Sequence, residues 1–160
     1  MAQHLRVNYL KCMLSKPARE KREQTERTAR TSAGTTASLA PQQPLSYPII
    51  VHCHLRWDGV WQRPQQFMSR LSQRHRILFV EGPILIESKE PPRFTLQEAS
   101  GFPNITVMQT FFPTSRFQDS PWIDAERYRL LEDALRGPLA GQFSKPVQWI
   151  YDPMTAPIFA

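Results

Sequence analysis

The sequence predicts an α/β domain built on a mostly parallel sheet with helices on its faces. Apolar runs at residues 49–53 and 77–80 have the composition of strands that are buried on both faces. A segment with helical spacing, starting at residue 64, connects them. Strand, helix and strand in this order form a unit whose two strands run parallel.

The loop between the first strand and the first helix is long. It spans residues 54–63, whereas a loop between strand and helix usually has about 2–6 residues. Pro64 fits the first helical position, because its fixed φ and missing N–H are harmless there. We interpret the loop as a binding loop, since ligands lie outside the carboxyl ends of parallel strands and helix N-termini attract anions. The apolar side expected for this helix consists of Val60, Phe67, Met68 and Leu71.

Four further elements complete the predicted sheet and add a second helix. A short apolar element covers residues 84–86, and strands at 94–97 and 105–110 are separated by a connection that allows a hairpin or a bend. Ser120 is the expected cap of the second helix, which Gly137 and Pro138 end. Its expected apolar side consists of Ile123, Tyr128, Leu131 and Leu135. Residues 147–151 predict another buried strand.

Nearly all of the net positive charge comes from the first 45 residues. The 160-residue chain has a net charge of +6, and residues 1–45 contribute eight basic and three acidic side chains. Because they contain few large apolar residues, we expect a disordered basic tail followed by one domain over residues 46–160. No nucleic-acid partner is expected for the domain. For the tail, docking on a membrane surface or organelle targeting is the alternative to a plain linker.

Several classes of protein lack support in the sequence. Only Cys12 and Cys53 occur, which argues against a disulfide framework or a zinc site and favours a reducing, cytoplasmic compartment. The phosphate-loop, dinucleotide-binding and H-E-x-x-H motifs are absent, so no metal and no cofactor is expected. No apolar run approaches the roughly 18 residues of a transmembrane helix.

Two segments resemble a family of bacterial GT-B-type glycosyltransferases. The first reads H-L-R-W-D-G-V-W-Q-R-P-Q-Q-F-M-S-R-L over residues 54–71, followed by H-R-I-L-F-V-E-G-P over 75–83. In the family, the N-terminal domain opens with a strand, a similar W-D-x-V-x-Q-R-P-Q-H-L segment and a strand ending in E-E-P. Y-D-P-M at residues 151–154 is similar to the family's Y-T-P-M. The chain differs from the pattern at Gln66, Gly82, Asp152 and Thr155.

The resemblance implies a Rossmann-like domain that corresponds to the N-terminal half of a GT-B fold. In that pattern the N-terminal half holds the acceptor and the C-terminal half binds the nucleotide-sugar donor. The resemblance therefore implies a truncated acceptor-side part of a hexosyltransferase-like enzyme, inactive alone. Its implied partners are a nucleotide-sugar, bound through a further domain, and a glycan, lipid-linked or small-molecule acceptor. Peripheral contact with the inner face of the membrane is the alternative to a purely cytoplasmic location.

The loop contains three candidates whose roles have two interpretations each. His54 follows the first strand and is a candidate base or donor to a sugar hydroxyl, or it caps the strand end. Trp57 and Trp61 stack on a sugar ring, or they attach the loop to the core. His52, two residues before His54, is expected to be packed.

Charged and amide side chains complete the candidate substrate-binding set. Arg63 meets a phosphate or a sugar, or forms a salt bridge with Asp58 or Glu81. Glu81 and Asp152 end two predicted strands, where a carboxylate holds a hydroxyl or caps a loop. The remaining candidates are Arg56, Asp58, Gln62, Gln66 and Tyr151, with Gln65 as a further amide at the start of the helix. We expect these side chains to line one concave surface. A non-catalytic α/β binding domain with a basic docking tail is the second hypothesis.

Overall fold

The computed structural model describes residues 46–159, so the expected tail over residues 1–45 lies outside the described part. One six-stranded sheet is flanked by helices. The strands are β1 (Ile49–Cys53), β2 (Ile77–Glu81), β3 (Ile84–Ile86), β4 (Arg93–Ala99), β5 (Phe102–Pro113) and β6 (Val147–Ile150). The helices are α1 (Arg63–Leu71), α2 (Ser120–Arg136) and the short α3 (Ala156–Phe159). Single 3-10 turns lie at Thr114–Arg116 and Pro153–Thr155.

β1 lies inside the sheet with a parallel strand on each side. Ile49 pairs with Ile77 of β2 on one edge and with Val147 of β6 on the other. β5 then pairs in parallel with β2. The chain thus leaves β1 in one direction and later returns to its other side, which is the reversal of strand order typical of a Rossmann-like sheet. The predicted fold class is confirmed.

β3 continues β2 along the same edge of β5. Met108 pairs with both β2 and β4, and Phe111 pairs with both β3 and β4. Because a strand has only two edges, β4 occupies one and β2 and β3 share the other. β4 and β5 form a hairpin, one of the two connections that the sequence allows. Its turn contains Gly101 at φ +80°, a conformation that glycine adopts readily.

The two faces of the sheet pack against different helices. The α1 face buries Met68 of α1 against strand residues that include Val51 and Phe79. The α2 face buries α2 against strand residues that include Ile50 and Leu78. Alternate residues of β1 and β2 therefore enter different cores, which explains why both strands read as unbroken apolar runs.

The strand predicted at residues 147–151 is not buried. Val147 and Trp149 of β6 are exposed, because within residues 46–159 β6 has β1 as its only neighbouring strand. The apolar residues at this position therefore belong to a strand that pairs with a neighbour on one edge, and not to a strand inside the sheet.

The apolar sides predicted for both helices are partly wrong. Val60 and Phe67 are exposed, and α1 turns Gln65 towards the core because its amide bonds the preceding loop. Tyr128 of α2 is exposed, and Arg127 takes the inward position through its contact with the Thr155 hydroxyl. The cap of α2 is Asp119, whose carboxylate accepts from the N–H of Trp122, and not Ser120. None of the helices in the described part of the chain is long and apolar enough to cross a membrane.

Candidate functional site

The carboxyl ends of β1, β2 and β6 meet at one edge of the sheet, because the three strands are parallel. His54 follows β1, Glu81 ends β2, and Tyr151 and Asp152 follow β6. The chain connects β1 to α1 through the loop of residues 54–62. In open α/β sheets the ligand crevice lies at this edge, beside the reversal of strand order. Here the reversal is between β1 and β6.

Glu81 is 1% exposed, and both of its carboxylate oxygens accept hydrogen bonds. Oε1 accepts from the backbone N–H of Trp57 at 2.7 Å, and Oε2 accepts from Arg56 and Gln109 at 3.0 Å each. Arg56 also donates to the carbonyl of Gly82 at 2.8 Å. A buried carboxylate needs partners of this kind, since an unpaired one is strongly destabilising. Glu81 therefore attaches the loop to β2 and β5, the structural role among its two interpretations.

The ring of Trp57 is enclosed by other aromatic rings and is 4% exposed. It makes edge-to-face contacts with Phe79 at 5.2 Å and with Phe102 at 5.7 Å between ring centroids. Trp61 is 46% exposed and stacks on Phe102 at 5.9 Å. These contacts favour the anchoring role for Trp57 and leave Trp61 as the accessible tryptophan of the loop.

Gln65 joins the loop to α1, a role that sequence reasoning missed. Its side-chain amide donates to the carbonyls of Arg56 at 2.9 Å and Val60 at 3.3 Å, and its Oε1 accepts from the N–H of Gln62 at 3.2 Å. One buried side chain thus satisfies three backbone groups of the loop. The available signal was its spacing of three residues from the buried Met68, which places both on one side of the helix. Gln109 was missed as well.

Five predicted site residues are exposed on the loop and the first turn of α1: Asp58, Trp61, Gln62, Arg63 and Gln66. Within residues 46–159 Arg63 forms neither of its two predicted salt bridges, and the ion pair of Glu81 is with Arg56. The first turn of α1 contains no acidic side chain, so the positive end of the helix dipole favours an anion beside Arg63. Amides, one guanidinium and an accessible ring suit the binding of sugar hydroxyls and phosphate.

Tyr151 and Asp152 have different surroundings. The buried carboxylate of Asp152 accepts from the N–H of Met154 at 3.1 Å and from the hydroxyl of Thr155 at 2.9 Å, so it caps the following turn. Tyr151 stacks on Trp149, and burial raises the pKa of its phenol. Its hydroxyl oxygen has no hydrogen-bond partner among the described residues. The Tyr151 hydroxyl is thus buried and, within residues 46–159, unsatisfied at this edge, whereas the Asp152 carboxylate is used structurally.

His52 is fully buried, as expected, while His54 is half-buried at the end of the strand. The ring of His52 stacks on Phe159 at 4.1 Å, and its Nε2 lies 2.9 Å from Oε1 of Gln148. Burial lowers the pKa of His52 to about 4, so the ring is neutral at pH 7. A neutral ring whose Nε2–H donates to Gln148 matches this contact.

We expect His52 to make the domain sensitive to acid. As the pH falls, His52 is protonated at a higher pH in the unfolded chain, where its pKa is 6.5, than in the folded chain, where its pKa is about 4. Stability from this group is therefore complete above about pH 6.5 and falls by about 3 kcal/mol as the pH drops to about 4. Urea denaturation of the wild type and of His52→Leu from pH 7 to pH 4 measures the effect. The variant should lose less stability over this range, and parallel curves for the two proteins would contradict the assignment.

Neither a reactive cysteine nor a metal centre is found at this edge among the described residues. Burial raises the pKa of Cys53 to about 11, so its thiol stays protonated and unreactive. Within residues 46–159 no three His, Cys, Asp or Glu side chains come together as metal ligands.

The predicted residues therefore fall into two groups. Arg56, Trp57, Glu81 and Asp152 have structural contacts that use their polar or aromatic groups. The exposed loop residues are the ones left to meet a ligand, since the Tyr151 hydroxyl is buried. Their position on a single concave surface stays a prediction. Comparison of the chain with protein-family models, with curated proteins and with solved structures finds no significant match.

Proposed function

We propose that residues 46–159 form the acceptor-binding domain of a glycosyltransferase that uses a nucleotide-sugar donor. The observation that carries the proposal is the reversal of strand order between β1 and β6. The W-D-G-V-W-Q-R-P segment, which resembles the GT-B family pattern, lies in the loop that follows β1. The crevice of an open α/β sheet lies at that place. The segment also supplies exposed groups that fit a sugar.

Buried side chains fix the position of the exposed part of the loop, which is the part proposed to bind the ligand. Glu81 and Gln65 bond the backbone or side chains of the loop on both sides of its tip. The tip can then present Trp61 for stacking on a sugar ring and the amides of Gln62 and Gln66 for sugar hydroxyls. A loop that is fixed before the ligand arrives loses little conformational entropy on binding.

Transfer needs more than the described domain provides. Holding the donor in line with the acceptor hydroxyl contributes about 7–11 kcal/mol to lowering the barrier. Negative charge that develops on the leaving diphosphate must also be stabilised. Arg63 and the N-terminus of α1 supply one side of such a site. We assign the other side to a second, donor-binding domain, and His54 is the candidate base that would face it.

We expect no sugar transfer by the 160-residue chain alone. The test is transfer of radiolabelled sugar from a panel of nucleotide-sugars to a panel of glycan and lipid-linked acceptors. The chain is assayed with and without the donor-binding domain of a GT-B enzyme that has the same W-D-x-V-x-Q-R-P segment. Transfer that requires both proteins supports the proposal. Robust transfer by the chain alone would show a donor site within it and would contradict the assigned division.

Arg63→Ala should weaken ligand binding by about tenfold, the contribution of one charge-assisted hydrogen bond. Arg70→Ala is the matched control, because Arg70 is also exposed on α1 but two turns from the N-terminus. Isothermal titration with the acceptor found in the transfer assay measures both. Equal affinities for the two variants would remove Arg63 from the site.

The second hypothesis, a non-catalytic binding domain, has one observation in its favour. Both carboxylates at the strand ends, Glu81 and Asp152, have their oxygens occupied by structural hydrogen bonds. Neither is therefore available as a general base in this arrangement. Saturable sugar binding without transfer in the presence of any donor-binding domain would favour this hypothesis.

A further inference from the structure

One stretch of the chain combines basic and aromatic residues without any acidic ones. Residues 59–80 contain four arginines and no Asp or Glu. Arg63, Phe67 and Arg70 follow each other at helical spacings of four and three residues, so they share one side of α1. Arg74 continues this spacing in the turn after the helix. Phe67 is 48% exposed, and the three arginines are exposed as well.

Phe67 on this side of α1 is turned towards β6, while Arg70 lies nearly opposite Met68 and points away from the sheet. The opposite side of the helix faces β5, because the carbonyl of Ser72, at the end of α1, accepts a hydrogen bond from the Asn104 side chain of β5 at 2.8 Å. Ser72 and Phe67 lie on opposite sides of Met68, which points to the sheet, since each residue turns the helix by about 100°. Because β5 and β6 lie on opposite sides of β1, Phe67 is on the β6 side.

β6 adds apolar residues to the same face. Trp149 pairs with Val51, and Val147 pairs with Ile49. Ile49 and Val51 belong to the core under α1, so Val147 and Trp149 point to the α1 face. Trp149 is 37% exposed and Val147 is exposed too. We call Phe67, Arg70, Arg74, Val147 and Trp149 together the α1 surface.

The charges of α1 and α2 are arranged differently. On α2, Arg129 pairs with Glu126 and Asp133, and Arg136 pairs with Glu132. In the described part of the chain Arg70 and Arg74 have no such partner: every ion pair there that involves a helix arginine is on α2 or next to it. Unpaired basic side chains around exposed aromatic groups are complementary to an anionic partner with an apolar layer below its charges.

We propose that the α1 surface docks on an anionic lipid bilayer. The arginines lie at the level of the lipid phosphates, and Phe67 and Trp149 enter the boundary between headgroups and acyl chains. An RNA or an acidic protein would use the arginines but would leave the aliphatic Val147 without a comparable environment. The proposal does not depend on glycosyl transfer, and it uses none of the residues assigned to the acceptor site.

The first test is partition of the full chain onto vesicles of phosphatidylglycerol and phosphatidylcholine in about equal parts. The combined variant Phe67→Ser, Arg70→Glu and Arg74→Glu should bind about 30-fold more weakly than the wild type, because each lost basic contact alone weakens binding several-fold. The matched control is Tyr128→Ser, Arg129→Glu and Arg136→Glu on α2, which makes the same changes on exposed positions. All proteins keep residues 1–45, so any binding through that basic segment is common to them. Circular dichroism checks that each is folded.

The second test uses acyl chains with bromine substituents, which quench a tryptophan that enters the bilayer. Quenching of the wild type that decreases in Trp149→Phe supports the proposal. Equal binding by the wild type and both combined variants would assign any binding to another part of the chain. An equal loss of vesicle binding in both combined variants would indicate an effect of net charge alone and would overturn the proposal. Binding to RNA or to an acidic protein but not to vesicles would also overturn the proposal.

Discussion

We expect Glu81→Ala to lower the free energy of unfolding by about 3–5 kcal/mol, the usual effect of removing one partner of a buried ion pair. The carboxylate is 1% exposed and accepts from Arg56, Gln109 and the N–H of Trp57. Its removal leaves the buried N–H of Trp57 and the part-buried side chain of Gln109 without this acceptor, and it removes the ion-pair partner of Arg56. Domains of this size are stable by about 5–15 kcal/mol, so the loss is a large fraction of the total.

Two further variants locate the cause of this loss. Glu81→Gln keeps an acceptor oxygen but removes the charge. We therefore expect its free energy of unfolding to lie between those of the wild type and the alanine variant. Glu87→Ala removes an exposed carboxylate a few residues further on and should change stability by less than about 0.5 kcal/mol. Urea denaturation followed by circular dichroism at pH 7 gives all three values. If Glu81→Ala were as stable as Glu87→Ala, Glu81 would not hold the loop.

The second large effect is expected for Trp57→Ala, with Trp61→Ala as its matched control. Trp57 is 4% exposed between the rings of Phe79 and Phe102, so its truncation opens a cavity and should cost about 3–5 kcal/mol. Trp61 is 46% exposed and should cost about 1 kcal/mol or less. The same denaturation experiment compares them.

The two tryptophans should also differ in their effect on binding. Trp61→Ala is expected to weaken sugar binding while the domain stays folded, because the accessible ring is lost and the anchor remains. Equal stability of the two variants would contradict the assignment of Trp57 as the anchor. Unchanged sugar affinity of Trp61→Ala would remove its ring from the acceptor site.

The strands of the sheet were predictable because the apolar pattern of each short segment is enough to indicate a strand. Buried parallel strands read as continuous apolar runs, and β1 and β2 do so. For β4 and β5 the sequence allows either a hairpin or a bend, and Gly101 permits the turn of the hairpin that forms. The same rule failed at β6, because a run of apolar residues does not reveal how many neighbouring strands cover it.

The site was less predictable than the fold, because the same residue types serve structure and binding. Nothing in the sequence separates Trp57 from Trp61, since the two have the same chemistry and lie on the same short segment. Gln65 differs from Gln66 only in its spacing of three residues from Met68. Their different roles follow from long-range contacts, such as that of Trp57 with Phe102. Glu81 gains its structural role from Gln109, which is 28 residues away in the chain.

We propose that acceptor sugars bind at the carboxyl edge of β1 and β6. Backbone amide NMR shifts of the isotope-labelled chain, followed during titration with a panel of soluble oligosaccharides, test this location. We expect saturable shifts confined to residues 54–66 and 151–155, and their loss when Trp61→Ala and Arg63→Ala are combined. Saturable shifts confined to α2 or β4, or none with any sugar, would contradict it.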